Sequence, residues 1–255
     1  DASGGDLTDT GGQLVVSGQS TLTVTGSNVL TLDNASNDLN TVVLSSGTGA
    51  VTLVDADDID LGASTLGGSL DVTATTSDIT DSGAVDVSGA ATFTASNGSD
   101  VILDTATNTF GSTVSFASGG TLANVTIFDD STLDLQALTL SGNLVASGSG
   151  LTQSGALSIG GTSTLTSTGS GNDITLTDAS NDFGTSLLVT TDASAGSDAT
   201  LVDSTSVSLG ASSVGGTLDV TGPGIDVTGS VSAGVLDLDA SGGDLTDTGG
   251  QLVVS

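Results

Sequence analysis

The chain has 255 residues, of which 30 are Asp and none is Lys, Arg, His, Glu, Cys, Met, Trp or Tyr, so its formal net charge is -30. These absences remove the usual general base near neutral pH, the thiolate nucleophile and the Schiff-base amine, so we expect no enzyme. Because no cationic side chain can neutralise phosphate, we also expect no nucleic-acid binding. No apolar run is long enough for direct membrane insertion. The sequence starts mid-pattern without Met, so we expect it to belong to a longer protein.

Short runs of alternating apolar and polar residues occur along the whole chain. In chain order, clear examples lie at 20–25, 69–75, 84–88, 132–140 and 235–240. A period of two predicts β-strands with one buried and one exposed face, and the Gly, Asn, Asp and Ser clusters between the runs indicate tight turns. Since most strong helix formers are absent and 38 residues are Gly, we expect no helix.

Internal repeats organise these strands. Residues 1–17 recur identically at 239–255, which defines a 238-residue tandem unit. The unit divides into related modules at 6–77, 78–149 and 150–224, followed by a shorter segment at 225–243. Each module separates into three segments with three short strands. Together with the shorter last segment, this gives ten coils of about 24 residues per unit. Twelve coils of about 20 residues would also fit the same pattern.

A repeated segment of this length with three short strands is typical of one coil of a parallel β-helix, in which stacked coils share one core. We therefore expect an all-β fold, a single continuous parallel β-solenoid over 1–255, right-handed because no strict hexapeptide repeat is visible. An antiparallel β-sandwich array is the alternative, but the Trp, Tyr or Cys core usual in such modules is missing. The expected first strands begin near Leu7, Val29, Val51, Ile79, Val101, Val125, Leu151, Ile174, Ala199 and Ile225.

The strongest candidate for chemistry is a column of Asp residues at the end of the first strand of each coil. Stacked carboxylates one strand spacing apart repel, so something must offset their charge. One interpretation is an Asx-turn, in which each Asp accepts backbone N–H groups at a corner. The other is Ca²⁺ bound between neighbouring carboxylates; no cofactor is otherwise required. The candidate Ca²⁺ ligands are Asp33, Asp55, Asp81, Asp104, Asp129, Asp178 and Asp203.

The Phe residues are expected in the core. Phe93 and Phe116 fall at equivalent third-strand positions of adjacent coils, so we expect their rings to contact each other. Phe110 and Phe183 occupy second strands of matching segments. No catalytic residue is predicted.

Several stretches resemble the repeat regions of a known class of proteins. The motifs LTLDNASNDL at 30–39, DITDSGAVDVSG at 78–89 and LGASTLGGSLDVT at 61–73 are similar in style to those of giant bacterial surface proteins, the filamentous-haemagglutinin-like adhesins. The resemblance covers essentially the whole chain. It implies export from a Gram-negative cell and an elongated β-helical shaft.

Together these observations predict a structural protein, the repeating shaft of an extracellular bacterial filament or adhesin located outside the cell or on its surface. Its expected partners are further copies of its own repeat joined end to end, and other filaments laterally. The alternative function is a Ca²⁺-dependent module that binds extracellular matrix or carbohydrate.

Overall fold

The computed structural model describes residues 1–194 and 196–254. It is an all-β protein whose described residues contain no helix, and so no helix that could cross a membrane. The fold is a parallel β-solenoid, as predicted. The chain forms two compact units, Asp1–Ser131 and Thr132–Ser255, and the continuity of a single solenoid over 1–255 stays a prediction.

In the first unit, short strands alternate with corners of a few residues. Two of them, β2 and β4, are long enough to continue around a corner. The strands are β1 Leu7–Thr8, β2 Val15–Thr23, β3 Leu30–Leu32, β4 Asp38–Ser46, β5 Val51–Asp55, β6 Ile59–Leu61, β7 Ser64–Leu66, β8 Leu70–Ala74, β9 Ile79–Asp81, β10 Val85–Val87, β11 Ala91–Ala95, β12 Val101–Leu103, β13 Thr109–Phe110, β14 Val114–Ser118 and β15 Val125–Phe128.

These strands form three stacks, in which strands of successive turns pair with each other. Stack A consists of β1, β3, β5, β8, β11 and β14, paired in parallel and in register. Stack B contains β6, β9, β12 and β15, and stack C contains β7, β10 and β13. The long β4 joins both, because its first half pairs with β6 and its second half with β7.

The second unit repeats this arrangement. Its strands are β16 Thr132–Leu135, β17 Leu138–Leu140, β18 Leu144–Gly148, β19 Gly150–Gln153, β20 Leu157–Ile159, β21 Thr162–Ser167, β22 Ile174–Leu176, β23 Ser186–Thr190, β24 Ala199–Val202, β25 Val207–Leu209, β26 Ser212–Gly222, β27 Ile225–Val227, β28 Ser230–Ala240, β29 Leu245–Asp247 and β30 Gln251–Val254.

These strands also form three stacks. Stack D runs through β16, β19, β22, β24 and the second halves of β26 and β28. Stack E contains the pair β17–β20 and the series β25–β27–β29. Stack F contains β18, β21, β23, the first halves of β26 and β28, and β30.

The turns are shorter and more numerous than predicted. Stacks A and D each contain six strands, so the 255 residues form about twelve turns, whereas we expected ten coils in the 238-residue unit and the start of one more. The turns also differ in length, because the step from Val51 to its neighbour Leu70 is shorter than the step from Leu7 to Leu30. Glycines make this tight turn possible, since a Cβ at Gly68 would lie 2.2 Å from the Gly49 carbonyl oxygen.

The extra short turn changes which strands are equivalent in space. Leu7 and Ile79 begin matching modules in the sequence, yet Leu7 lies in stack A and Ile79 in stack B. A module therefore holds ten strand segments, three full turns and one third of another, and the next module starts one stack further on. In the second unit, Leu151 lies in stack D and its sequence equivalent Leu245 in stack E. The predicted alignment of first strands is therefore wrong after Val51.

The core consists of the inward-facing residues of each stack. In β5 and β11 alternate residues are buried, as the period of two predicted. The Phe93 and Phe116 rings stack with centroids 6.0 Å apart, which confirms their predicted contact, and Phe93 also meets Phe110 edge to face. Phe110 and Phe183 are buried, again as expected.

Replacement of Phe93 by Ala should lower the free energy of unfolding by about 3–5 kcal/mol, because the cavity lies between two other rings. Phe128, on the outward-facing side of β15, is only partly buried and serves as the matched control. Urea unfolding of Phe93→Ala and Phe128→Ala measures the difference. Equal losses in the two variants would contradict this assignment of the core.

Candidate functional site

The predicted Asp column does not form along one corner. Asp55, at the end of β5 in stack A, has Ala74 as its neighbour in the next turn, whereas Asp81 pairs with Leu61 in stack B. The residues are separated because each module begins one stack further on. The prediction that Asp33, Asp55, Asp81 and Asp104 line up on one corner is therefore wrong.

Instead, polar residues gather in three groups, one for each module, which we call clamps. Each clamp has an acceptor at the end of the first strand of the module, a buried asparagine in the next turn and a buried carboxyl group in the turn after that. The clamps are Asp9, Asn37 and Asp55; Asp81, Asn108 and Asp129; and Gln153, Asn181 and Asp203.

The first clamp joins three successive turns through Asn37, whose side chain is fully buried. Its Nδ2 donates to Asp9 Oδ2 at 2.8 Å and to the Val54 carbonyl oxygen at 3.3 Å, while its Oδ1 accepts the Leu14 N–H at 2.9 Å. Asp55 then accepts the Leu39 N–H at 2.8 Å. One amide thus binds the turn before it and the turn after it.

The second clamp repeats these bonds one stack further on. The Asn108 Nδ2 donates to Asp81 Oδ2 at 2.7 Å, and its Oδ1 accepts the Val85 N–H at 2.8 Å. Asp129 accepts the Phe110 N–H at 3.2 Å. The same chemistry therefore recurs wherever the module places this motif.

The third clamp has an amide where the others have a carboxylate. Gln153 Oε1 accepts the Asn181 Nδ2 at 2.9 Å and the Asp178 N–H at 3.2 Å. Asp81 makes the corresponding bonds to the Asn108 Nδ2 and the Thr105 N–H. Because a neutral amide replaces the carboxylate without loss of either bond, the position requires a hydrogen-bond acceptor rather than a charge.

The third member of each clamp also forms an Asx-turn. Asp55, Asp129 and Asp203 each accept the backbone N–H of the residue two positions further on, at 3.1, 2.8 and 2.7 Å respectively. These bonds match the Asx-turn interpretation of the sequence at these three positions. Each of these three carboxyl groups thus accepts N–H donors from two turns.

The balance between burial and hydrogen bonding sets the pKa of Asp55, Asp81 and Asp9. Desolvation raises the pKa of Asp55 to about 6, and the neighbouring Asp57 carboxylate adds to this increase. Desolvation also raises the pKa of Asp81, outweighing the bond from Asn108. At the equivalent Asp9, desolvation is outweighed by the Asn37 and backbone hydrogen bonds, which lower the pKa.

Asp129 differs from its two equivalents. Both the Phe110 and the Ser131 N–H groups donate to its Oδ1, whereas Oδ2 is the one buried side-chain oxygen without a hydrogen-bond partner among the described residues. In the third clamp, Asp203 distributes the corresponding bonds over both oxygens. Burial raises the pKa of Asp129, because desolvation outweighs the donated bonds.

The remaining candidate Ca²⁺ ligands lie outside the clamps. Asp33 and Asp104 are exposed, and their backbone N–H groups donate to Asp9 and Asp81. Asp178 corresponds to Asn34 rather than to Asp33, since each of these two side chains accepts the N–H two residues further on. In the part of the chain that the structure describes, no group of three or more Asp side chains is arranged to hold a metal ion.

An acidic surface cleft lies beside the first clamp. It is lined by Ser17, Asp38, Asn40, Asp57 and Asp58 from successive turns. The Asn40 Nδ2 donates to the Ser17 carbonyl oxygen at 3.1 Å, so part of the cleft is already occupied by a bond between turns.

Sequence reasoning missed the asparagines of the clamps. Asn37, Asn108 and Asn181 lie in the polar segments between strands, which the sequence predicts as turns. Their regular spacing, with one such asparagine in each module, was the available signal. A polar residue repeated at one module position indicates a buried network as readily as a turn.

The comparison with known families matches nearly the whole chain. A model described as "Repeats of unknown function (DUF5649)" matches residues 1–46, 48–117, 122–190 and 196–255. The chain belongs to this family. The starts of its last three DUF5649 repeats are evenly spaced, at intervals close to the length of one module. No curated protein and no solved structure matches the chain.

Replacement of Asn108 by Ala should lower the free energy of unfolding by about 1–3 kcal/mol, because it leaves the buried Val85 N–H without its acceptor and removes one of the two donors to Asp81 Oδ2. Asn40→Ala, which removes an exposed amide, should change it by less than about 0.5 kcal/mol. Urea unfolding of both variants measures the contrast. Similar midpoints for the two would contradict a structural role for the clamp.

Stability should fall as pH rises through the titration of Asp55. Its pKa in the folded protein, about 6, lies above the ordinary value of 3.8, so the folded state binds the proton more tightly. This contribution is complete below 3.8, is lost as pH rises through about 6, and amounts to about 2–3 kcal/mol. Asp55→Asn removes the titrating group, although it also loses an acceptor for an N–H. Thermal unfolding between pH 4 and 7 should show a shallower pH slope for Asp55→Asn than for the parent, whereas an unchanged slope would assign the titration elsewhere.

Proposed function

We propose that this chain of DUF5649 repeats is a structural element, a section of the shaft of an extracellular bacterial filament or adhesin. The observation that carries this proposal is that the polar groups of all three clamps bind neighbouring turns. Asn37, for example, bonds both to the turn before it and to the turn after it. A repeat in which such bonds join one turn to the next transmits load along the stack.

Composition supports a passive role. The chain lacks His, Cys and Lys, so the Ser and Thr hydroxyls on its outer faces have no ordinary activating base. The formal charge of -30 keeps neighbouring molecules apart in solution. The absence of Lys and Arg also removes the cleavage sites of trypsin-like proteases, which suits a protein outside the cell.

The extracellular location is supported by the resemblance of the motifs to those of filamentous-haemagglutinin-like adhesins. The proposed partners are further copies of the repeat, joined end to end, and neighbouring filaments. Residues 1–17 and 239–255 are identical, so the sequence of one unit continues directly into the start of the next.

The alternative function is a Ca²⁺-dependent module that binds matrix or carbohydrate. The acidic cleft with Asp38, Asp57 and Asp58 is where carboxylates of successive turns approach each other. Calorimetry in Ca²⁺ and in chelator separates the two functions. A shaft held by clamps should unfold at the same temperature in both solutions, whereas a large loss in chelator would favour the Ca²⁺-dependent module.

The length of tandem proteins tests the shaft directly. At about 21 residues per turn and ~4.8 Å between strands, each added 238-residue unit should lengthen a rod by about 54 Å. Electron micrographs of proteins with one, two and three units give this increment. A flexible string of separate particles, or an increment far from this value, would overturn the proposal.

A further inference from the structure

One sheet face of the second unit carries no charge. Among the described residues, no Asp occurs in the strands of stack F, which are β18, β21, β23, β30 and the first halves of β26 and β28. The other two stacks differ, because Asp134 and Asp219 lie on the outer side of stack D and Asp226 on that of stack E. In a chain with a formal net charge of -30, stack F is therefore a distinct surface.

The outward residues of stack F form two regular rows across successive turns. Strand pairing aligns one row of hydroxyl groups, which consists of Ser147, Thr166, Thr190 and Ser213. The second row consists of Val145, Thr164 and Leu188, and its two aliphatic side chains are only half-buried. Aliphatic groups are stabilised when they are covered, and hydroxyls both donate and accept across a contact, so this face suits a second uncharged face of the same kind.

The two edges of this face differ in charge. The corner that leads from stack F to stack D carries Asp173, Asp192 and Asp198. Their side chains are fixed to the corner by backbone N–H groups, as in the bond from the Thr217 N–H to Asp198 Oδ1. The corner that leads from stack E to stack F contains only Gly, Ser, Thr, Asn and Ala, at 141–143, 160–161, 184–185, 210–211 and 228–229. One edge of stack F is thus acidic and the other uncharged.

We propose that two copies of this chain associate side by side through stack F, with the stacking axes of their second units parallel. This inference rests on the proposed function, because it specifies the surface that neighbouring filaments share. A cationic partner would select the faces that carry Asp, whereas an uncharged face suits a partner that is strongly acidic elsewhere, as a second copy is. Contact through stack D or E would instead place Asp219 or Asp226 against the acidic face of the neighbour, with no Lys or Arg to compensate.

The difference between the edges decides the relative direction of the two copies. When a twofold axis runs along the stacking direction, the acidic edge of each copy lies on the uncharged edge of the other. When the copies are antiparallel, the two acidic edges meet, and Asp173, Asp192 and Asp198 repel their equivalents. At physiological ionic strength such repulsion reaches about 8 Å, so it acts between adjoining edges. Electrostatics therefore favours the parallel arrangement.

The size of the face predicts a weak association for a single unit. Five strand segments at ~4.8 Å spacing, each with five residues at about 3.3 Å, give roughly 400 Å² per molecule. Stable complexes bury about 800 Å² per partner. The test must therefore trap the pair covalently at high protein concentration.

Cross-linking of the 255-residue protein tests both the face and the direction, and the absence of Cys gives a clean background. Ser147→Cys and Ser213→Cys lie at opposite ends of the hydroxyl row, three strand spacings or about 14 Å apart. A bis-maleimide shorter than this distance should link each variant to its own kind. In a mixture of the two variants, one isotope-labelled, mass spectrometry should find few mixed dimers. Ser158→Cys, beside Asp182 in stack E, is the control and should stay monomeric.

A charge placed on the face should abolish the contact. Thr166→Asp in the Ser147→Cys background should reduce the yield of dimer severalfold, because each copy then presents a carboxylate to the other. Thr139→Asp on the outer side of stack E is the matched control and should leave the yield unchanged. Circular dichroism verifies that both variants retain the β-fold.

Three results would overturn the proposal. They are a dominance of mixed dimers, equal yields from Thr166→Asp and Thr139→Asp, and no dimer of folded Ser147→Cys at high concentration. Retention of the protein on a polysaccharide that Thr166→Asp abolishes, without any dimer, would assign the face to a carbohydrate instead. Failure of the shaft would appear separately, as a wrong length increment in tandem proteins.

Discussion

The structure depends on one constraint, that each turn must present its backbone groups in register to the turns before and after it. Parallel pairing supplies most of these bonds, but pairing alone permits slippage along a strand. The buried asparagines remove that freedom. Asn108 accepts one specific N–H, from Val85, and donates to one specific carboxylate, of Asp81, so a shift by a single residue would break both bonds. Such directional bonds specify the register at a point that apolar residues leave ambiguous.

The lack of cationic side chains limits how this protein can stabilise a buried carboxylate. A buried carboxylate in most proteins is balanced by Arg or Lys, and here that is impossible. The chain instead surrounds Asp55 and Asp203 with backbone N–H donors. Where the distribution of donors is uneven, as at Asp129, one oxygen stays without a partner. The third clamp avoids the charge at its first position altogether, because Gln153 provides the acceptor there.

Much of the fold could be predicted from the sequence. Alternation indicated the strands, the repeats indicated the solenoid, and equal positions in adjacent turns indicated the Phe93–Phe116 contact. The number of turns could not be read from repeat length, because the segment from Val51 to Leu70 closes a whole turn that is shorter than the expected coil, with Gly68 at a corner. That error in the number of turns also led to the wrong prediction of a single Asp column. Whether an Asp stands above another depends on the cumulative length of all earlier turns, so one misplaced turn moves every later residue to a different stack.

The asparagine clamps show a second limit of prediction from the sequence. An Asn among Asp, Ala and Ser is typical of an exposed turn, and only tertiary structure distinguishes Asn34, which makes a local turn, from the buried Asn37 that follows shortly after it. The modules therefore combine two features, a repeated local pattern and an advance by one stack. The first is visible in the sequence, whereas the second arises from the sum of the turn lengths.

The register of β9 tests this account most directly. Inter-strand nuclear Overhauser effects between Hα and amide protons identify the neighbour of Ile79 in the preceding turn. The short turns of this structure place Ile79 beside Ile59, and Leu70 beside Val51. Contacts of Ile79 with Ile59 and of Leu70 with Val51 are the predicted result. A contact of Ile79 with Val51 would instead establish the longer coils and one continuous corner of Asp residues, and would contradict the advance of each module by one stack.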